Sequence, residues 1–239
     1  MMKYSPMLFG FLALIACSPK PGDAPPPQPA TLPSDIEKIA STEAPAGDYK
    51  LDKSHASLTF KVNHTGFSNY TAQFKSFDAN LKLDPNAPET ASVNATVDVK
   101  SLDIPTPPEG FLNTLLGPVW FDTAKFPQIS FRSTKVDMTG PDTAKIDGDL
   151  TLKGVTKPIT LEAKFNGGYA GFAPYDPAAR IGFSAKGKIK RSDFGMTYGI
   201  PEPGTTMGVG DEVEIALEAE FTGPPLEAAA SSATATPAS

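Results

Sequence analysis

The two histidines of this chain, His55 and His64, are the residues best suited to acid–base chemistry or metal binding. Asp52 or Asp122 would have to supply further ligands, because a protein zinc site needs three or four of them. The sequence holds no third histidine and no helical histidine pair, so we predict no metal site. His64 is instead expected to be hydrogen-bonded within the fold or to contact the polar head of a ligand.

Enzymatic activity is not predicted from these residues. No G-x-S-x-G nucleophile motif accompanies the histidines, so a hydrolase that uses His55 or His64 is only a minor alternative. The formal net charge of −6 over 239 residues argues against a general nucleic-acid-binding protein, which needs a basic surface. The single cysteine excludes an intrachain disulfide framework and any metal site built from several cysteines, and no cofactor is predicted.

The single cysteine, Cys17, directly follows a short apolar run at residues 8–16 (LFGFLALIA). This run is too short to cross a bilayer as a helix and is typical of a signal peptide, which we predict over residues 1–16. The tetrad Leu-Ile-Ala-Cys resembles the bacterial lipobox, in which the cysteine is lipidated. The sequence therefore predicts an exported periplasmic lipoprotein tethered to a membrane, with the outer membrane favoured. The alternative is an ordinary secretory signal.

Low-complexity segments flank the part of the chain that can fold. Residues 17–47 contain eight prolines and no aromatic residue, which predicts a disordered tether. Residues 223–239 are rich in proline, alanine, serine and threonine and predict a disordered tail. The folded domain is accordingly expected over residues 48–222.

Alternation of apolar and polar residues dominates this domain. Residues 58–64 (LTFKVNH) are one example, and such a period of two indicates strands with one buried face. About eight such runs, one with an irregularity at Ser76, predict an all-β fold with a single eight-stranded antiparallel up-and-down barrel, lipocalin-like in form. The proline-interrupted residues 104–127 are the one place for a helix, and we predict a short helical insert near residues 108–118.

The inward face of such a barrel is either filled by its own side chains or surrounds one small ligand. The alternation does not decide between these, so a lipid-binding barrel and a ligand-free structural barrel both remain open. The apolar insert at residues 111–121 is either a lid or rim of the barrel or part of its core. The candidate lumen residues are Phe60, Val62, His64, Phe74, Val93, Val97, Trp120, Ile129, Phe131, Leu150, Leu161, Ile181, Phe183 and Ile215.

Six motifs follow one another along the predicted domain. They are YKLDKSHASLTFKVNH at 49–64, FKSFD at 74–78, WFD with FPQISF over 120–131, GDLTLKGVTKP at 148–158, IKRSDFG at 189–195 and VGDEV at 209–213. In this order and spacing they resemble the YceI-like family of bacterial polyisoprenoid-binding periplasmic proteins. Within the fifth motif, Arg191 and Asp193 are expected to pair at one end of the barrel.

The resemblance implies a barrel whose lumen holds a long isoprenoid, such as a quinone-type or polyprenyl lipid, or a fatty-acid-like lipid. It implies a binding or carrier activity without catalysis. The segment before Trp120, residues 114–119, is more apolar than is usual in the family, so the ligand itself and its polar contacts stay open. The predicted function is a membrane-anchored exported protein that holds a long-chain amphiphile. The alternative is a ligand-free structural or interaction barrel of the cell envelope.

Overall fold

The computed structural model describes residues 43–172 and 175–225. The predicted signal peptide, the lipid-anchor residue Cys17, most of the predicted tether and the tail beyond residue 225 lie outside the described residues. One α-helix, α1 (Phe111–Leu116), occurs in the described part of the chain, within the predicted insert. The strands are β1 (Gly47–His64), β2 (Ser68–Phe74), β3 (Phe77–Leu83), β4 (Ser92–Asp98), β5 (Leu102–Asp103), β6 (Gln128–Met138), β7 (Thr143–Leu152), β8 (Val155–Tyr169), β9 (Ala178–Lys190) and β10 (Val209–Pro225).

The strands close into an eight-stranded antiparallel barrel, which confirms the predicted fold. Going round the ring, β1 pairs with β3, and β4, β6, β7, β8, β9 and β10 follow in chain order until β10 pairs again with β1. β2 and β3 are two halves of one barrel strand, because both pair with β1 and the chain is interrupted only at Lys75 and Ser76. The predicted irregularity at Ser76 is therefore confirmed. β5 adds a two-residue pairing at the edge of β2.

The two ends of the barrel differ in what covers them. At one end, which we call the mouth, lie the turn at 65–67, the insert at 104–127, the β7–β8 turn and the loop at 195–208. At the other end, which we call the floor, a buried cluster fills the space between the strands. This cluster consists of Ala44, Tyr49, Leu51, Ala79, Leu81, Ala179, Ile181, Ala219 and Phe221.

The folded domain extends slightly beyond its predicted limits at both ends. Ala44 belongs to the buried floor cluster, and the Tyr49 hydroxyl donates a hydrogen bond to the Pro45 carbonyl at 2.5 Å. β10 continues to Pro225, and Gly223 lies so close to the Tyr49 ring that a Cβ there would be 2.2 Å from Cε1. The structure therefore packs a few residues on either side of 48–222 against the barrel, although their composition is typical of a linker.

No helix within residues 43–172 and 175–225 is both long enough and apolar enough to span a membrane.

Candidate ligand-binding cavity

The inward side chains of the barrel surround a cavity of about 750 Å³. In an antiparallel strand alternate residues face the same side, so the apolar positions of each alternating run form one continuous wall. The structure places all but one of the predicted lumen residues on this wall. They are Phe60, Val62, His64, Phe74, Val93, Val97, Trp120, Ile129, Phe131, Leu150, Leu161, Phe183 and Ile215. That they contact a ligand remains a prediction.

Many of these inward apolar residues are only half-buried, although they lie inside a closed barrel. The reason is that their side chains border the hollow instead of packing against a side chain opposite. Small residues on the same wall leave this space open, among them Ala95 and Ala185. The half-buried members of the predicted set are Phe60, Val62, Val93, Ile129, Phe131, Leu161, Phe183 and Ile215.

Ile181 is the predicted lumen residue that the structure places elsewhere. Its side chain is 1% exposed and belongs to the floor cluster with Tyr49 and Phe221. Ile181 pairs with Gly168 on β8 and with Phe221 on β10, close to the end of the barrel where the strands converge on this cluster. The assignment of Ile181 to the lumen is therefore wrong. The alternation correctly predicts that Ile181 lies on the inward face of β9, but it does not predict how far along the barrel the hollow extends.

The insert acts both as part of the core and as part of the mouth. Leu112, Leu115, Leu116 and Phe121 pack on the cluster formed by β2, β4 and the chain that follows them. Phe121 meets Phe74 edge-on, with ring centroids 5.9 Å apart. Phe111 and Trp120 line the cavity, and so do Leu115 and Phe121. The insert is thus both core and rim, and Leu115 and Phe121 take part in both.

The Trp-Phe-Asp motif places these side chains through the backbone conformation of its last residue. Asp122 has a φ of +49°, in the left-handed region that aspartate tolerates better than most residues. Its amide donates to the Gly117 carbonyl at 2.8 Å, while its own carbonyl accepts from the amides of Lys125 and Phe126. This reversal lets Phe121 point into the core while Trp120 stays at the mouth.

Arg191 is a buried cation at the mouth, and the alternation in the sequence does not predict that it lines the cavity. Its side chain is 3% exposed, lines the cavity and lies under the ring of Trp120, with Cζ 5.2 Å from the ring centroid. The guanidinium donates to the carbonyls of Met196, Tyr198, Val209 and Gly210 at 2.6–2.9 Å. Burial lowers the pKa of this guanidinium.

The expected ion pair between Arg191 and Asp193 does not form. Backbone carbonyls occupy the guanidinium instead, and it is Asp211 that binds the neighbouring residue, accepting from the Ser192 amide and hydroxyl at 2.9 and 2.8 Å. Arg191 therefore joins the loop at 195–208 to the start of β10. A sequence pattern gives no signal for this role, because carbonyl acceptors are present at every residue.

The two histidines lie at different places on β1, His55 near its middle and His64 at its last residue, and they do not form a joint site. His64 is exposed at the mouth, where it lines the cavity, and its Nδ1 is 3.4 Å from the Thr65 hydroxyl. His55 is nine residues earlier, so it lies about 30 Å away along an extended strand. A site that combines both histidines is excluded by this separation.

His55 takes part in a charged network on the outside of the barrel, near the floor. Its Nδ1 is 3.0 Å from Asp52 Oδ2, and Arg180 Nη1 donates to the same oxygen at 2.6 Å. Hydrogen bonds from His55 and Arg180 hold the pKa of Asp52 well below its usual range, and the bond to Asp52 raises the pKa of His55. Asp176 also accepts from Arg180 and from the Tyr169 hydroxyl.

Asp52, His55 and Glu220 are close enough together for their side-chain ligand atoms to meet at one ion. The Arg180 guanidinium, however, already binds Asp52 and neutralises much of the negative charge that a cation would need. The Asp and His of the first sequence motif therefore form a structural clamp between β1 and β9.

The β7–β8 turn lies at the mouth, where the GDLTLKGVTKP motif of residues 148–158 meets Phe126 of the FPQISF motif. Leu152 pairs with Val155, so Lys153 and Gly154 form a two-residue hairpin turn in which both have positive φ, +51° and +75°. A Cβ on Gly154 would lie 2.5 Å from Cε1 of Phe126. The Lys153 ammonium donates to the carbonyls of Pro118 and Val119 at 3.0 and 3.4 Å. The turn thus holds the insert against the barrel.

A family model described as the YceI-like domain matches residues 49–221, well over half of the chain. The chain belongs to the YceI-like family. Protein YceI of Escherichia coli is 42% identical over 160 residues, which span 66% of this chain and 81% of that protein. The matched region begins and ends within the barrel, so the resemblance found in the six motifs is confirmed.

Solved structures share the architecture of this YceI-like barrel. Burkholderia cenocepacia BcnA superposes with a TM-score of 0.59 at 26% identity, covering 71% of this chain and 98% of that one. A polyisoprenoid binding domain from Saccharophagus degradans, implicated in plant cell wall breakdown, gives a TM-score of 0.55 at 14% identity. It covers 74% of this chain and 98% of its own, and at that identity it shows the fold alone.

Proposed function

We propose that this YceI-like protein binds one long-chain isoprenoid, or a similar amphiphile, inside its barrel and acts as a carrier or buffer for it without catalysis. The observation that carries the proposal is the apolar hollow of about 750 Å³. Its volume lies within the range of roughly 300–1,000 Å³ found for small-molecule sites. A ligand-free structural barrel, the alternative, has no need of such a hollow, and its inward residues would pack against each other.

The distribution of polar groups along the wall favours an amphiphile that enters tail first. His64, Tyr198 and Arg191 lie at the mouth, whereas the wall below them is formed by aliphatic and aromatic side chains. An apolar tail in the lower part gains about 0.8 kcal/mol for each methylene removed from water, or about 4 kcal/mol for a five-carbon isoprene unit. A polar head group then remains beside the mouth residues, where it keeps its hydrogen bonds.

The name of the Saccharophagus relative, a polyisoprenoid binding domain, supports the choice of an isoprenoid over other apolar ligands. That relative shares only the architecture with this chain, so the ligand class is our proposal here. A branched isoprenoid chain is bulkier than a straight acyl chain, and the wide, aromatic-lined hollow suits that shape. Quinone-type and polyprenyl lipids both present such a tail.

We also propose that the barrel is exported to the periplasm and tethered to a membrane, preferably the outer one, through lipidated Cys17. The short apolar run ending in Leu-Ile-Ala-Cys supports this. Tethering would raise the local concentration of the barrel at the membrane that holds its ligand, which shortens the search for that ligand.

Filling the hollow tests the proposal. Ala185 lies on the cavity wall and Lys186, its neighbour on β9, is exposed on the outside of the barrel. Ala185→Phe places a phenyl ring in the space for the ligand, and Lys186→Phe adds the same ring outside. Titration with a prenylated benzoquinone in mild detergent, followed by quenching of the single tryptophan Trp120, measures binding.

We expect saturable quenching in the wild-type protein and in Lys186→Phe, and an affinity loss of about tenfold or more in Ala185→Phe, since burying the tail is its main driving force. The tail-less benzoquinone is the matched ligand control and should bind far more weakly. Absence of saturable binding to the wild-type protein, or equal binding to both variants, would show that the hollow is not the ligand site.

A further inference from the structure

Large apolar side chains are exposed preferentially at the mouth. Among the described residues, seven large hydrophobic side chains are exposed, and five of them lie on the segments that surround the mouth. Phe67 and Met207 are 87% and 75% exposed. We call this set the rim. It consists of Phe67, Phe111, Val119, Tyr198 and Met207.

The rim is a continuous feature built from three neighbouring segments. The Thr65 amide donates to the Gly208 carbonyl at 2.8 Å, which places the turn that carries Phe67 beside the loop that carries Met207. That loop also carries Tyr198, whose ring meets the Trp120 ring with centroids 5.9 Å apart. Trp120 directly follows Val119. The exposed side chains therefore follow one another around part of the mouth instead of being scattered over the surface.

The rim is directly continuous with the cavity. Phe111 and Tyr198 are exposed and also line the hollow, so the cavity opens between the rim residues. A ligand that leaves the cavity passes these side chains first. If the opening faced water, the apolar tail of the ligand would be exposed at that moment, which costs free energy in proportion to the area exposed.

The charges of the segments that carry the rim favour a lipid surface over a soluble protein partner. Residues 111–119 (FLNTLLGPV) and 65–67 (TGF) contain no ionisable side chain, and Glu202 is the only one in residues 196–208. The ammonium group of Lys153 lies next to this apolar surface, bound to the carbonyls of Pro118 and Val119. An apolar edge that carries few charges, with Glu109 and Glu202 as its acidic residues and Lys153 as a flanking cation, suits the boundary between acyl chains and phosphate head groups.

We propose that the rim docks on the surface of a lipid bilayer, with the mouth of the barrel facing the membrane, so that ligand passes between the acyl chains and the cavity. This inference rests on the proposed function, because it supplies the route by which an isoprenoid reaches the hollow. Phe67 and Met207 insert into the acyl region, and the polar groups at the mouth face the head groups. The occupant of this surface is the membrane itself.

Trp120 is the single tryptophan of the chain and lies against the rim, which makes it a local reporter of docking. The full chain is mixed with vesicles of phosphatidylethanolamine and phosphatidylglycerol in which part of the acyl chains carry bromine. Bromine quenches tryptophan fluorescence only at short range. Quenching therefore reports the approach of the mouth to the acyl chains, wherever else the chain contacts the vesicle.

The test variant is Phe67→Ser combined with Met207→Ser, since neither side chain lines the cavity. The matched control, Met138→Ser combined with Tyr175→Ser, removes the exposed hydrophobic residues at the floor end. We expect strong quenching in the wild-type protein and the floor variant, and about tenfold or more weaker apparent vesicle affinity in the rim variant.

No quenching of the wild-type protein, or equal quenching of the rim and floor variants, would overturn membrane docking. Binding of the prenylated benzoquinone in detergent separates this failure from failure of the proposed function. Detergent delivers the ligand without a bilayer, so normal binding without bromine quenching overturns the docking alone. Bromine quenching without any quinone binding would instead overturn the proposed function.

Discussion

Asp52 stabilises the barrel through its ionised form, and this gives a pH dependence of defined sign. Hydrogen bonds from His55 and Arg180 lower the pKa of its carboxyl group in the folded state. A carboxyl group with a lowered folded-state pKa stabilises the fold above its ordinary pKa of about 4, and this contribution is lost as the pH falls below that value. His55 contributes in the opposite sense, because its raised pKa favours the fold at low pH.

Asp52→Asn should therefore lower the free energy of unfolding near neutral pH by about 1.5–3 kcal/mol, the range for hydrogen bonds to a charged group. The difference between wild-type protein and variant should shrink as the pH is lowered below about 4. Denaturant unfolding at several pH values measures it. Asp149→Asn, which alters an exposed carboxylate on β7, is the control and should change little. A difference for Asp52→Asn that does not depend on pH would contradict this role.

Single residues also mark the limit of what the sequence predicts about the site. The alternation predicted the correct face for almost every wall residue, because successive residues of a strand point alternately to the inside and the outside of the barrel. The alternation misplaced Ile181, because it carries no information on how far along the barrel axis a residue lies. It missed Arg191 as a cavity residue, because a buried guanidinium held by four backbone carbonyls leaves no partner side chain to find in the sequence.

Among the structural elements, the β7–β8 hairpin carries the GDLTLKGVTKP motif of residues 148–158 and places its turn at the mouth. Gly154 has a φ of +75° and would clash with Phe126 if it carried a Cβ. Gly195 offers a matched comparison, since its φ is +74° and a Cβ there would have no neighbour within 4 Å. Both glycines therefore require a positive φ, and only at Gly154 does a neighbouring side chain also leave no room for a Cβ.

Gly195→Ala should lower the free energy of unfolding by about 1–2 kcal/mol, the cost of a left-handed backbone for a residue with a side chain. Gly154→Ala should cost about 1 kcal/mol or more beyond that, since the Phe126 ring has to move. Thermal or denaturant unfolding of the two variants compares them. If Gly154→Ala proved the milder change, the close contact with Phe126 would have no energetic importance.

The elements themselves were largely predictable, and the reasons are physical. A strand with one buried face must alternate apolar and polar residues. When such strands pair in chain order, closing the sheet into a barrel leaves no exposed edge strand. Ser76 was identified as an irregularity because two residues there break the alternation of the long run. The short helix was predictable from the prolines around it. The ends of the domain were less so, because Ala44 and Gly223 pack on Tyr49 despite linker-like composition.

At the scale of the whole molecule, the hollow is the property that the sequence could not predict. Whether eight strands surround a space or a packed core depends on the summed volumes of side chains that face each other across the barrel. Alternation specifies that these side chains are apolar but not how far they extend. In the structure, small residues such as Ala95 and Ala185 face the same space as the large ones, and the space stays open.

The physical chemistry of that hollow suits exchange more than permanent storage. Its apolar wall removes an isoprenoid tail from water, which stabilises the complex strongly relative to free lipid. Relative to a bilayer, the same wall gives the tail almost the same environment, so the transfer free energy between membrane and barrel is small. A protein with these properties equilibrates with the membrane. A rim that meets the bilayer would let this exchange proceed without exposing the tail to water.

Mass spectrometry of lipid extracted from the purified protein tests directly whether the cavity holds an isoprenoid. We expect an isoprenoid to co-purify with the wild-type protein and with Lys186→Phe, and to be lost from Ala185→Phe, whose added ring fills the cavity. A wild-type protein that repeatedly yields no isoprenoid and takes up none after incubation with prenylated quinone would contradict it, as would equal lipid content in all three proteins.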